Sequence, residues 1–326
     1  MLQPHILVLA TGGTIAGMAG DALRHDYRPG QIAIEDYLDQ VQELGLGVRF
    51  SGRQVANIGS EDMDATVWTA LHAAIVAALD DADCAGVIVT HGTDTLEETA
   101  FLLDLTLPTA KPVVLVGAMR PADAVGYDGL RNFANAARVA GNADAAGRGV
   151  LVVMGDRVFA ARDVRKVRTR GTDAFRGFPR DSVGLLTPSA LEWFGAPWRV
   201  GDQARFAYAS DLPEVPILYV HAALDEDFVA RLRGPQTRGL VVAGVGEGNM
   251  PEAVRAALAR LAAEGILVIR ASRLDEGLVD REPEDDANGF VAARALNPQK
   301  ARILAQLLIA DGITDPRDAQ QHFDRR

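Results

Sequence analysis

The sequence predicts an α/β protein of two domains: a larger N-terminal, mostly parallel open sheet with flanking helices, and a smaller C-terminal parallel α/β domain. Three observations carry this. Short β-branched runs ending in glycine or polar residues alternate with helical patterns, the rhythm of a parallel sheet covered by helices. A stretch near residue 200 interrupts that rhythm, after which it resumes on a smaller scale. The chain has 326 residues, more than one hydrophobic core usually serves.

Residues 6–10, 86–90, 112–118 and 149–154 are the clearest strands of the first domain. Between them, residues 64–79 set Val67, Leu71, Ala74, Ile75, Ala78 and Leu79 at the spacing of one helical face, and residues 131–139 read similarly. Residues 121–129 are punctuated by Pro, Asp and Gly and are expected to be a loop. From about Glu192 to Pro213 the residues Trp193, Pro197, Trp198 and Gly201 break the alternation, which predicts a linker over 192–213 between domains 1–191 and 214–326. In the second domain, strands are expected at 215–220, 239–245 and 266–271, and helices at 227–232, 251–263 and 298–310. The acidic cluster Glu282-Pro283-Glu284-Asp285-Asp286 reads most simply as a solvated loop.

Composition narrows the function. A formal net charge of −11 and a pI near 5.0 set the surface against nucleic-acid phosphates and anionic lipid, but not against a small zwitterion. No apolar run reaches the ~20 residues that span a bilayer. One cysteine, Cys84, permits neither an intrachain disulfide nor a thiolate metal cluster, and is expected to be a small buried apolar residue. The N-terminus runs into its first strand without the charged and small-residue segments of a signal peptide. A cytoplasmic location is therefore expected, or a periplasmic one if a leader has been removed.

Two segments could carry chemistry. After the first strand comes Thr11-Gly12-Gly13-Thr14-Ile15-Ala16-Gly17, a turn that lets backbone and a hydroxyl approach a ligand, or that merely makes a tight strand exit. After the next clear strand comes Thr90-His91-Gly92-Thr93-Asp94-Thr95, with a helix expected to follow. Ligands of open parallel sheets bind outside the carboxyl ends of the strands, so Thr14, Thr93 and Asp94 could face one cleft. A threonine hydroxyl needs a base or proton acceptor, for which Lys166, Asp94 and Tyr27 are candidates. By spacing alone Lys166, in Arg162-Asp163-Val164-Arg165-Lys166, is ordinarily one more surface cation.

The segments ILVLATGGTIAG (6–17) and GVIVTHGTDTLEETAFLLDL (86–105) resemble the two signature segments of bacterial L-asparaginases of the type II kind. The likeness continues through VVLVGAMRPADA (113–124), RGVLVVMGD (148–156), VAGVGEGNM (242–250) and GFVAARALNPQKAR (289–302), so it spans essentially the whole chain in order. The resemblance implies hydrolysis of the side-chain amide of asparagine, without a cofactor or metal. It implies Thr14 as the nucleophile and Tyr27 as its hydrogen-bonding tyrosine, with Thr93, Asp94 and Lys166 as a second cluster in which lysine and aspartate polarise the threonine. Ser60, Glu61 and Asp94 match the residues that grip the substrate's amino and carboxylate groups, and the backbone of Ala118 matches the contact to the scissile amide. Members of the family are typically homotetramers built from intimate dimers, each site completed by a neighbour. Asn249 would come from that neighbour, together with an acidic residue of 280–286, either Glu282 or Glu284.

Two departures from the family pattern bear on function. A disulfide common among exported members cannot form here. The position after Ser60 is glutamine in some members and glutamate in others, and Glu61 places this chain in the second group, which implies some tolerance of glutamine as substrate. Rival readings fit less well. Gly244-Val245-Gly246-Glu247-Gly248-Asn249 follows a strand, as a dinucleotide fingerprint does, but Asn249 stands where its third glycine belongs. A sensor that only binds amino acids would be expected to lose a hydroxyl or the lysine. A metal-dependent amidohydrolase would need closely spaced ligands, and the six histidines form no HxH or HxxxH pair. His91 is expected to be a buried hydrogen-bonding residue.

Overall fold

Alternating valine, leucine and isoleucine runs build the first sheet of the computed structural model, which describes residues 3–18, 32–108, 111–198 and 204–325. Its chain divides into two units, Met1–Ser210 and Asp211–Arg326. The first unit runs β1 (His5–Gly12), α1 (Ile34–Gln42), β2 (Arg49–Ile58), α2 (Ala65–Asp80), β3 (Cys84–Thr90), α3 (Leu96–Thr106), β4 (Val113–Val116), α4 (Gly129–Ala140) and β5 (Val150–Met154). The short strands β6 (Arg157–Ala160), β7 (Val164–Lys166), β8 (Phe175–Gly177), β9 (Gly184–Leu186) and β10 (Leu191–Trp193) follow. Among the described residues the main sheet has the order β10-β9-β6-β5-β4-β3-β1-β2. It is parallel from β2 through β5 and antiparallel beyond, while β7 and β8 form a separate antiparallel pair.

Successive residues of the central strands enter opposite cores. Ile88, Val114, Leu151 and Val153 pack with Phe133, Ala136 and Ala137 of α4 on one face. Val87, Val89, Leu115 and Val152 pack with Leu71 and Ile75 of α2 and Ala100 and Leu103 of α3 on the other. This period of two with both faces covered explains why these strands read as continuous apolar runs. Full burial of each such side chain favours the folded state by about 1.5–3 kcal/mol. Helix α2 buries Leu71, Ala74, Ile75 and Ala78 as its periodicity predicts, and adds Trp68 to the same face.

Residues 191–193, at the start of the stretch read as a linker, form the edge strand β10. Arg205 and Phe206 both donate their N–H groups to the Leu105 carbonyl at 3.0 Å, and the Tyr208 ring stacks on His72 with centroids 4.2 Å apart. Residues 204–208 thus pack within the first unit.

The second unit comprises β11 (Ile217–Tyr219), α5 (Asp227–Leu232), β12 (Gly239–Gly244), α6 (Glu252–Ala263), β13 (Leu267–Ser272), α7 (Pro283–Asn288), β14 (Phe290–Ala292), α8 (Pro298–Ala310) and α9 (Pro316–Asp324). Its parallel sheet has the order β11-β12-β13-β14. The acidic cluster expected to be a solvated loop is instead the start of helix α7, begun by a capping box between Glu282 and Asp285 with Pro283 in its first turn. Asp285 is fully buried. Among the described residues no helix is long and apolar enough to cross a membrane.

Candidate active site

The parallel strand order β2-β1-β3-β4-β5 places a topological switch point between β1 and β3, where chain crossovers leave in opposite directions and open a crevice at the carboxyl ends. Thr14 follows β1 there, and Thr93 follows β3. Both hydroxyl residues are buried.

Glycines let these turns approach one another. Gly13, at φ +80°, lies so near the Thr93 loop that a Cβ would come within 2.4 Å of the Gly92 nitrogen. A Cβ on Gly92 would meet Ser60 Oγ at 2.8 Å, in the turn that follows β2. No larger residue fits either position without moving backbone. Ser60 then ties its turn to the Thr93 loop: its Oγ accepts from the Asp94 N–H at 3.1 Å and its carbonyl accepts from Thr95 Oγ1 at 2.6 Å.

Lys166, at the end of β7, reaches into the same loop. Its Nζ donates to Thr93 Oγ1 at 2.8 Å and forms an ion pair with Asp94. The lysine side chain is only 16% exposed, whereas that of Asp94 is 59% exposed, so the cluster offers its carboxylate outward and keeps its ammonium inside. Glu61 is exposed beside buried Ser60, and Ala118 is fully buried just past β4. Thr14, Ser60, Thr93, Asp94 and Ala118 therefore all stand beyond the carboxyl ends of adjacent parallel strands, and Lys166 joins them from β7. Tyr27 lies outside the described residues.

Behind the site is a layer that residue spacing does not reveal. His91 is fully buried, as expected; its Nδ1 contacts the Gly92 carbonyl at 2.7 Å and its Nε2 contacts Thr99 Oγ1 at 2.9 Å. Trp68 Nε1 donates to the same Thr99 oxygen at 2.9 Å. Thr99 thus directs its proton to Nε2, and Nδ1–H donates to Gly92. Burial lowers the imidazole pKa to about 4, despite the opposing bond to Gly92, so the ring is neutral near pH 7. Glu97, buried on the first turn of α3, accepts the Lys166 N–H at 3.2 Å. Tyr127 donates its hydroxyl to the Ile15 carbonyl at 2.6 Å and so pins the Thr14 turn; burial pushes its phenol well above the ordinary range.

The remaining expected residues belong to the second unit. Asn249 is exposed at the end of a turn after β12, closed by reciprocal bonds with Val245 at 2.9 and 2.7 Å. Glu284 lies 3.2 Å from Arg255 Nη1, an ion pair without hydrogen-bond alignment. Glu282 caps α7 with its carboxylate 4.0 Å from Arg270 Nη2. Among the described residues no three His, Cys, Asp or Glu side chains are grouped to hold a metal ion.

Strand order and side-chain chemistry together define an open, mostly parallel α/β protein with a hydroxyl–ammonium–carboxylate cluster at its switch point. The chain belongs to the asparaginase family: residues 5–199 match the model for the asparaginase N-terminal domain, and residues 214–323 that for the glutaminase/asparaginase C-terminal domain. It is 40% identical to L-asparaginase 2 of Escherichia coli over 99% of this chain and 93% of that protein. It is 39% identical to a probable periplasmic L-asparaginase of Haemophilus influenzae over 98% of this chain and 93% of that one. Among solved structures, a probable cytoplasmic L-asparaginase from Campylobacter jejuni superposes with a TM-score of 0.91 at 35% identity, covering 98% of each chain.

Proposed function

We propose that the protein is an L-asparaginase, hydrolysing the side-chain amide of L-asparagine to L-aspartate and ammonia and accepting L-glutamine as a secondary substrate. The observation that carries this reading is the Lys166 ammonium shared between Thr93 Oγ1 and Asp94, beside the Thr14 turn. Amide hydrolysis needs a nucleophile, donors for the developing oxyanion and a proton for the departing nitrogen. Thr14 is the nucleophile, with Tyr27 positioning its proton. Thr93 and Lys166 act as the acid/base pair, and the Thr93 N–H supports the oxyanion. In sum the C–N bond breaks, water supplies the new C–O bond, and nitrogen leaves as ammonia. Ser60, Glu61 and Asp94 hold the substrate's amino and carboxylate groups, while the Ala118 backbone contacts the amide.

In this reading the working form is a homotetramer built from two dimers, each site completed by Asn249 and an acidic residue of a neighbouring copy. Glu282 fits the second role better than Glu284. Its carboxylate lies by the same guanidinium that holds the Glu247 carbonyl, two residues before Asn249, whereas Glu284 is turned to Arg255. The test is ammonia release from L-asparagine, L-glutamine and their D-isomers, with and without chelator. L-asparagine is expected to react fastest, indifferent to chelator, and Thr14→Ala and Thr93→Ala are each expected to slow turnover by ~10² or more. No ammonia from L-asparagine above the uncatalysed rate would refute the assignment.

A further inference from the structure

Strand β13 carries a guanidinium sealed from solvent. Arg270 is 1% exposed, and all three of its nitrogens are used. Nε donates to Asp285 Oδ1 at 2.7 Å, Nη2 to Asp285 Oδ2 at 2.6 Å and to the Asp280 carbonyl at 2.5 Å, and Nη1 to the Glu247 carbonyl at 2.6 Å. Two segments distant in sequence therefore meet on one side chain: the turn ending at Asn249, and the stretch that runs from the Asp280 backbone through the cap Glu282 into the first turn of α7. The contact is close enough to constrain the sequence around it. Gly248, at φ +86°, lies against the arginine, where a Cβ would come within 2.9 Å of Arg270 Cγ. Two bonds reinforce the junction, from Ser272 Oγ to the Gly246 carbonyl at 2.6 Å and from the Asp280 N–H to Glu247 Oε1 at 3.1 Å.

Stability is a poor explanation for this arrangement, because an apolar pair of similar volume commonly serves a core as well as or better than a buried ion pair. What the pair supplies is direction. The planar fork fixes the Asp285 carboxylate bidentately, and its remaining N–H groups fix two carbonyls at set angles. We propose that Arg270 is a positioning residue for substrate recognition, holding Asn249 and Glu282 at one spacing so that both are presented together to a neighbouring copy's site. The proposal rests on the reading above, in which those two residues complete that site.

Two variants and one mixing experiment test it. Arg270→Met alone would strand a buried carboxylate, so it is combined with Asp285→Asn, which removes the charge and keeps an acceptor for the Glu282 N–H. Arg270→Lys keeps the charge but loses the fork. For the double variant, kcat/KM for L-asparagine is expected to fall ~10-fold or more, mostly through KM, with kcat within about threefold of wild type; the lysine variant should fall between. Either variant at wild-type kcat/KM would overturn the proposal. Because Arg270 acts on the neighbour's site, co-expressing the double variant with Thr93→Ala should restore activity at limiting substrate. Random pairing leaves about a quarter of two-fold-shared sites intact, roughly five times the rate of the two homomers mixed. The control is Asn249→Ala co-expressed with Thr93→Ala. If the control complements and the Arg270 pair does not, Arg270 does not position the shared residues. If neither pair complements, the shared site itself is wrong and the proposal falls with it. A wild-type protein inert toward L-asparagine is a third, separate result, and it refutes the assigned reaction.

Discussion

Lys166 is held at both ends. Its ammonium serves Thr93 and Asp94, while its backbone N–H is fixed at 3.2 Å by Glu97, four residues after Thr93 on the helix that leaves the same loop. In the proposed mechanism this fixed lysine acts on Thr93 and does not grip the substrate. Lys166→Met is expected to lower kcat for L-asparagine by ~10² while moving KM less than about threefold. Steady-state kinetics on the purified variant checks this, and a defect confined to KM would transfer Lys166 to substrate binding. Much of this site is legible in the residues themselves. Thr14 and Thr93 stand out because hydroxyls follow glycines at strand ends, where ligands bind. Lys166 does not, because only the fold brings it across 73 residues to Thr93; family resemblance supplied it. Glu97, Tyr127 and Arg270 leave no local signal, since their contacts are made with atoms that only the fold brings near, 69, 112 and 10 to 23 residues away.

At the level of elements, burial decides what a sequence reveals. Strands β1, β3, β4 and β5 are covered on both faces and announce themselves as apolar runs, and so does β12. Strand β2 is a sheet edge whose residues are mostly exposed or half-buried, and its sequence, RFSGRQVANI, hides it. The three-residue strands β7 to β10 are too short for any period to show. Helix α7 was masked by its charge, because the burial of Asp285 depends on Arg270, a partner 15 residues away. The connection from β3 to α3 can be probed directly through His91. Its folded pKa, about 4, lies below the ordinary 6.5 because burial disfavours the cation. Between those values the unfolded chain binds the extra proton, so the stability linked to the neutral ring is intact above pH 6.5 and is lost as pH falls towards 4. His91→Gln can keep one donor and one acceptor without titrating. The stability advantage of wild type over this variant should shrink by up to about 1.4 kcal/mol per pH unit across that window. Denaturant melts at several pH values measure it, and parallel profiles for the two proteins would show that His91 is not held neutral by burial.

At the scale of the whole molecule, the interrupted α/β rhythm discloses two units, but nothing in such a rhythm discloses how copies associate. Even homodimer interfaces are only modestly more apolar than the rest of a surface, and single exposed side chains such as Tyr219, Leu274 and Leu278 are ordinary on monomers too. The association proposed here follows from function: Asn249 and Glu282 have no assigned use in their own chain's cluster, so one chain alone should lack part of its substrate grip. Activity must then depend on concentration through mass action. Specific activity toward L-asparagine should stay constant on dilution while the oligomer persists, then fall as subunits separate, with the midpoint matching that of dissociation. Measuring the rate and the mass of the particles by light scattering on the same dilution series links the two curves. At saturating substrate the fall should be partial if only substrate grip is lost, and steeper at limiting substrate, because weakened binding enters kcat/KM in full. A dispersed monomer with undiminished kcat/KM would remove the shared site, and the roles of Asn249 and Glu282 would have to be sought within a single chain.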